Sequence, residues 1–132
     1  MTIAFTPGEP GGIGPDLAII HAQKKPVKNL LVFADPDVLL KRAKILNLPL
    51  KIVESDKNLK KNQLCVYPIK ANGVVEVGAL NAENAQYVLN TLDKATDFCL
   101  TNQCEALVTG PIHKGIINTI NSTFTGHTEY LA

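Results

Sequence analysis

Short apolar runs, each followed by a stretch with helical periodicity, constrain this chain more than any other feature. Leu30–Ala34 (LLVFA) is continuously apolar, the pattern of a strand buried on both faces of a parallel sheet. Ile3–Phe5 precedes it, and Leu50–Val53, Leu64–Ile69 and Ala106–Val108 follow, the last reading as a central strand. Pro68 places the Leu64–Ile69 run at a sheet edge or makes Pro68 a strand end, because proline cannot donate to a ladder. Asn72-Gly73 marks a turn, with a short hairpin expected through Val74, Val75 and Val77.

Between the strands lie three helices. After Pro15, which suits a first helical turn, Leu17, Ile20 and His21 share one face, which reads as the packed side. Asp35-Pro36-Asp37 opens a second helix through Leu46, packed through Leu39, Ala43 and Leu46. Lys41, Arg42 and Lys44 fall between those positions and are expected to face water. The third and strongest helix starts at an Asn81 cap and runs to near Asn102, with Ala85, Val88, Leu89, Leu92, Ala95 and Cys99 on its apolar stripe. Glu54–Gln63 is a polar loop. Shorter helical stretches are expected at His113–Asn118 and from His127 onward. Strands alternating with helices give an α/β class with a mostly parallel sheet.

Composition narrows the function classes. The 132 residues carry 13 Lys+Arg against 12 Asp+Glu, a net charge of +1, with no basic run to hold nucleic acid. No apolar stretch of about 18 residues is present, so no membrane helix is expected. The first residues do not read as a secretory signal. Cys65, Cys99 and Cys104 lack C-x-x-C spacing and read as reduced, partly buried thiols of a cytoplasmic protein.

Chemistry has three candidate locations. The loop Thr6–Pro15 (TPGEPGGIGP) joins a strand to a helix start, an arrangement that aims N–H groups at an anion. It lacks the Gly-Lys of a phosphate loop and the third glycine of the dinucleotide fingerprint. Ligand binding and a tight structural turn are equally good readings of it. The second location is the end of the Ala106–Val108 strand, where Thr109, Gly110, His113 and Lys114 gather; a Gly110-Pro111 turn with a solvated Lys114 is the competing reading. The third is Thr125–Glu129, where Gly126, His127 and Thr128 open a helix; a plain helix cap with an exposed histidine is the competing reading. Asp35 and Asp37 read as helix caps. The three histidines are too scattered for a metal site within this chain.

TPGEPGGIGPD (Thr6–Asp16), ALVTGPIHKGIIN (Ala106–Asn118) and FTGHTEYLA (Phe124–Ala132), in this order and separation, resemble the 4-hydroxythreonine-4-phosphate dehydrogenase family of vitamin B6 biosynthesis. The resemblance spans the whole chain and implies an isocitrate/isopropylmalate-dehydrogenase-like α/β/α fold, incomplete here. Residues 1–132 would be the N-terminal portion of a two-domain enzyme, with the last helix, from about 127, cut short and the C-terminal metal- and NAD-binding part absent.

The implied reaction is metal-dependent oxidation of 4-phosphooxy-L-threonine by NAD or NADP, then decarboxylation to 3-amino-2-oxopropyl phosphate. The implied metal is divalent (Zn, Mg or Co), and the implied assembly is a homodimer. The family's role for its His-Thr pair, contact with the substrate phosphate, carries over to His127 and Thr128. Glu9, Thr109, Gly110 and Lys114 are candidate cleft-lining residues, with no cofactor-binding residue assigned. Two other readings stay open: a relative acting on threonate or erythronate 4-phosphate, and a non-catalytic anion-binding α/β module.

Overall fold

The computed structural model describes residues 2–24, 29–71, 75, 78 and 82–112. The element order is β1 (Thr2–Thr6), α1 (Gly14–Ala22), β2 (Asn29–Ala34), α2 (Pro36–Leu46), β3 (Lys51–Val53), β4 (Gln63–Pro68), a 3₁₀ turn (Ala82–Asn84), α3 (Ala85–Leu100) and β5 (Ala106–Thr109). Among the described residues the five strands form one wholly parallel sheet in the order β3-β4-β2-β1-β5. The α/β expectation is met. The continuous apolar runs are strands because such a sheet buries both of its faces.

Alternation along β2 sends its side chains to two cores. Val32 and Ala34 pack with Ala18 and Ala22 of α1, Leu39 of α2 and Leu64 of β4. Phe33 points the other way, into Ala4, Ala95 of α3 and Cys104. Its ring stacks on Tyr67 and meets Phe98 edge-on, with centroids 5.4 and 5.1 Å away. The result is three layers, α1 and α2 over one face and α3 over the other. Cys65 and Cys104 are buried and Cys99 half-buried, all three as free thiols. Burial raises each thiol above its ordinary value.

Helix ends follow local chemistry. Asp35 caps α2, its Oδ1 accepting from the Asp37 amide at 2.9 Å, and Pro36 takes the first helical position. Asn47, in the left-handed region at φ 56°, closes the other end, with the Leu48 amide donating back to the Ala43 carbonyl.

Several expectations are corrected. On α1 the buried residues are Gly14, Pro15, Ala18, Ile19 and Ala22. Leu17, Ile20 and His21 are exposed instead, because the small residues let the helix approach the sheet closely. Arg42 does not face water; it is buried. The α-helical part of the third helix begins at Ala85, after the 3₁₀ turn, with no side-chain cap from Asn84. Of the two readings of Pro68 the strand end holds: it closes β4, which lies inside the sheet between β3 and β2. β5 pairs only with β1 among the described residues, so it is the edge there, not a central strand. The expected hairpin (apart from Val75), the Asn81 cap and the stretches at 113–118 and from 127 lie outside the described residues. No helix among the described residues is long and apolar enough to cross a membrane.

Candidate functional site at the tips of β1 and β5

β2 lies on one side of β1 and β5 on the other, so the strand order reverses at β1. Open α/β sheets bind ligands in the crevice beyond the carboxyl ends of strands at such a reversal. Three of the sequence-selected residues are here. Glu9 and Gly110 are buried, and Thr109 is half-buried at the end of β5. Lys114, His127 and Thr128 lie outside the described residues.

The two loops that leave these strands are stitched together by backbone. The Gly110 amide donates to the Thr6 carbonyl at 2.7 Å, and the Glu9 amide donates to the Pro111 carbonyl at 3.1 Å. So close an approach leaves no space for side chains. Gly8 sits at φ +81°, and a Cβ there would lie 2.2 Å from the Pro111 carbonyl oxygen. A Cβ on Gly14 would lie 1.6 Å from the Pro7 carbonyl oxygen. These glycines are tight-turn glycines, and the nearby amides are spent on protein carbonyls, Glu9 on Pro111 across the two loops and Gly12 on Glu9 at 3.0 Å within the turn. Asp16 meets the positive end of α1 with its own carboxylate.

From the other side the loop is held by Arg42 of α2. Its guanidinium donates to the Gly12 carbonyl at 2.8 Å, to the Pro10 carbonyl at 2.8 Å and to the Asp16 carboxylate at 2.6 Å. Sequence reasoning missed this residue, since its partners are some thirty positions away and its near neighbours are solvated lysines. Tyr87 was missed too. It is buried on α3, and its hydroxyl accepts from the Asp35 amide at 2.9 Å. Burial pushes the Tyr87 phenol well above its ordinary value; the charges of Asp35 and Glu9 add to that, and the Asp35 amide opposes it. The hydroxyl therefore stays neutral and keeps its hydrogen as a donor. Asp35 also accepts from the Ala71 amide at 2.9 Å, which draws the segment after β4 toward the same edge. The arrangement gathers buried acid and hydroxyl groups on rigid backbone, suited to orienting a polar ligand above β1 and β5.

A family model described as "Pyridoxal phosphate biosynthetic protein PdxA" matches residues 26–132, most of the chain. The chain belongs to this family. A 4-hydroxythreonine-4-phosphate dehydrogenase of Wigglesworthia glossinidia brevipalpis is 47% identical over 135 residues, covering 98% of this chain and 41% of that protein. One of Saccharophagus degradans is 43% identical over 134 residues, covering 98% of this chain and 40% of its own. This PdxA-family chain thus spans about two-fifths of the length of those relatives. A crystal structure of such a dehydrogenase from Burkholderia phymatum superposes with a TM-score of 0.89 at 20% identity, over 99% of this chain and 42% of that one. One from Klebsiella pneumoniae gives 0.82 at 22%, over 98% and 44%. At such identities the superpositions establish the fold.

Proposed function

We propose that this chain is the N-terminal part of a 4-hydroxythreonine-4-phosphate dehydrogenase, in which the joined tips of β1 and β5 form one wall of the substrate cleft. The observation carrying this reading is the convergence of Glu9, Thr109 and Gly110 at the strand-order reversal of a PdxA-family chain. The substrate would be 4-phosphooxy-L-threonine, with His127 and Thr128 holding its phosphate and Lys114 lining the cleft. A homodimeric, cytoplasmic enzyme is part of the same reading.

The described residues contain no group of three or more His, Cys, Asp or Glu placed to hold a metal ion. They do not fit a resident Zn, Mg or Co, and the glycine-rich loop, closed on Pro7, is not a dinucleotide cradle. What these residues do is build a stiff wall. The stitched loops fix Glu9, and neutral Tyr87 holds the Asp35 backbone from the α3 side.

The test uses the full-length protein with a divalent metal, NAD+ or NADP+, and each of 4-phosphooxy-L-threonine, threonate 4-phosphate and erythronate 4-phosphate. Reduced nicotinamide absorbance should rise fastest with the first. Preference for another phosphate would replace the substrate assignment, and no turnover with any of them would favour the non-catalytic module. His127→Ala should weaken substrate binding about tenfold to a hundredfold, the scale of a lost charge-assisted hydrogen bond, and leave cofactor binding unchanged. Equal loss of both would remove the phosphate role.

A further inference from the structure

Arg42 is a buried cation on α2 whose guanidinium hydrogen bonds go to the loop between β1 and α1 and to Asp16. A buried guanidinium is tolerated only when its hydrogens are matched, and here three oxygens match it, two of them backbone carbonyls on either side of Gly11. The planar fork of arginine reaches divergent acceptors in one fixed geometry, which a lysine ammonium does not reproduce. The gripped segment holds Gly8, Gly11 and Gly12, so its backbone has unusually many conformations to lose. Glu9 stands immediately before the gripped Pro10, and its own amide is fixed on the β5 side by Pro111.

We propose that Arg42, with Asp16 as its counter-charge, is a positioning residue: it sets the shape of the glycine-rich loop and so the place of Glu9, without touching the substrate. The inference rests on the reading of this loop as part of the cleft. A purely structural Arg42 would stabilise the whole domain evenly. A positioning Arg42 stabilises the loop in particular, and its loss reaches the chemistry.

Arg42→Lys keeps the charge for folding, and Asp16→Asn leaves both carbonyl contacts in place. Amide hydrogen exchange of residues 8–13 should accelerate about tenfold or more in Arg42→Lys, the scale of a lost hydrogen bond to a charged group, while exchange in β2 is unchanged. Asp16→Asn should move the same amides less. In the full-length protein Arg42→Lys should lower kcat/KM about a hundredfold, as small misplacements remote from the chemistry do, with KM for NAD(P)+ unaltered. Equal acceleration in the loop and β2 would make Arg42 a general stabiliser and overturn the proposal. So would a loosened loop with wild-type kcat/KM. If the wild-type protein shows no dehydrogenase activity, the functional reading falls by itself, and the exchange pattern still decides whether Arg42 shapes the loop.

Discussion

Gly14 is where the β1–α1 loop meets a hard limit, because a Cβ there would lie 1.6 Å from the Pro7 carbonyl oxygen. Neither atom belongs to a flexible side chain, so the backbone itself must move. Gly12 is the useful contrast, since its added Cβ would lie 3.3 Å from the Glu9 carbonyl oxygen, a squeeze that a small shift relieves. Gly14→Ala should therefore cost about 3 kcal/mol or more in urea unfolding, at the upper end of overpacking, and Gly12→Ala less than about 1 kcal/mol. Similar losses for both would mean that the loop yields as a unit, contrary to the stitched geometry. The sequence shows that this loop is rich in glycine but not which glycines are crowded, because the Pro7 carbonyl reaches Gly14 only when the loop folds back on itself and the Pro111 carbonyl reaches Gly8 only when β1 and β5 pair. Arg42 was illegible for the same reason. Its flanking Lys41 and Lys44 are exposed as expected, and nothing local announces carbonyls from Pro10 and Gly12.

Elements read more easily than residues, wherever local chemistry alone decides them. Leu30–Ala34 and Ala106–Val108 lie within strands, and Asp35-Pro36-Asp37 starts a helix, because apolar runs and caps act over a few positions. On α1 the large side chains do not mark the packed face. Ala18 and Ala22 make that contact by letting the helix sit close, which leaves Leu17 and Ile20 exposed. The edge position of β5 among the described residues is non-local again, a matter of which strands pair rather than of its composition. Asp35 shows how one cap serves two elements. One carboxylate oxygen starts α2 and the other holds the Ala71 amide after β4. Asp35→Ala should thus exceed the roughly 1 kcal/mol of an ordinary cap and approach about 2 kcal/mol in chemical unfolding. Asp35→Asn, which keeps an oxygen for one partner, should fall between it and wild type. A loss no larger than that of a simple cap would mean that the Ala71 contact contributes nothing.

At the scale of the whole molecule, a wholly parallel sheet is ordinarily covered on both faces. Here α3 packs on β1, β2 and β5, while α1 and α2 gather toward the β2–β4 side of the opposite face. Beside α1 the described residues leave a mostly apolar trough of about 430 Å³ over β1 and β5, lined by Ile3, Phe5, Leu17, Leu30 and Val108 together with His21 and Asn29. These residues span about two-fifths of the relatives' length. In the proposed reading they supply one wall and the means of keeping it rigid, and the described residues supply no metal-binding group. Residues 1–132 alone, given 4-phosphooxy-L-threonine, NAD+ or NADP+ and a divalent metal, should then show no nicotinamide reduction above the buffer rate, while circular dichroism reports helix and strand. Both readouts are needed, because an unfolded chain is inactive for a trivial reason. Sustained turnover by the folded 132-residue chain would overturn the one-wall reading, since the residues binding metal and cofactor would then have to lie within it.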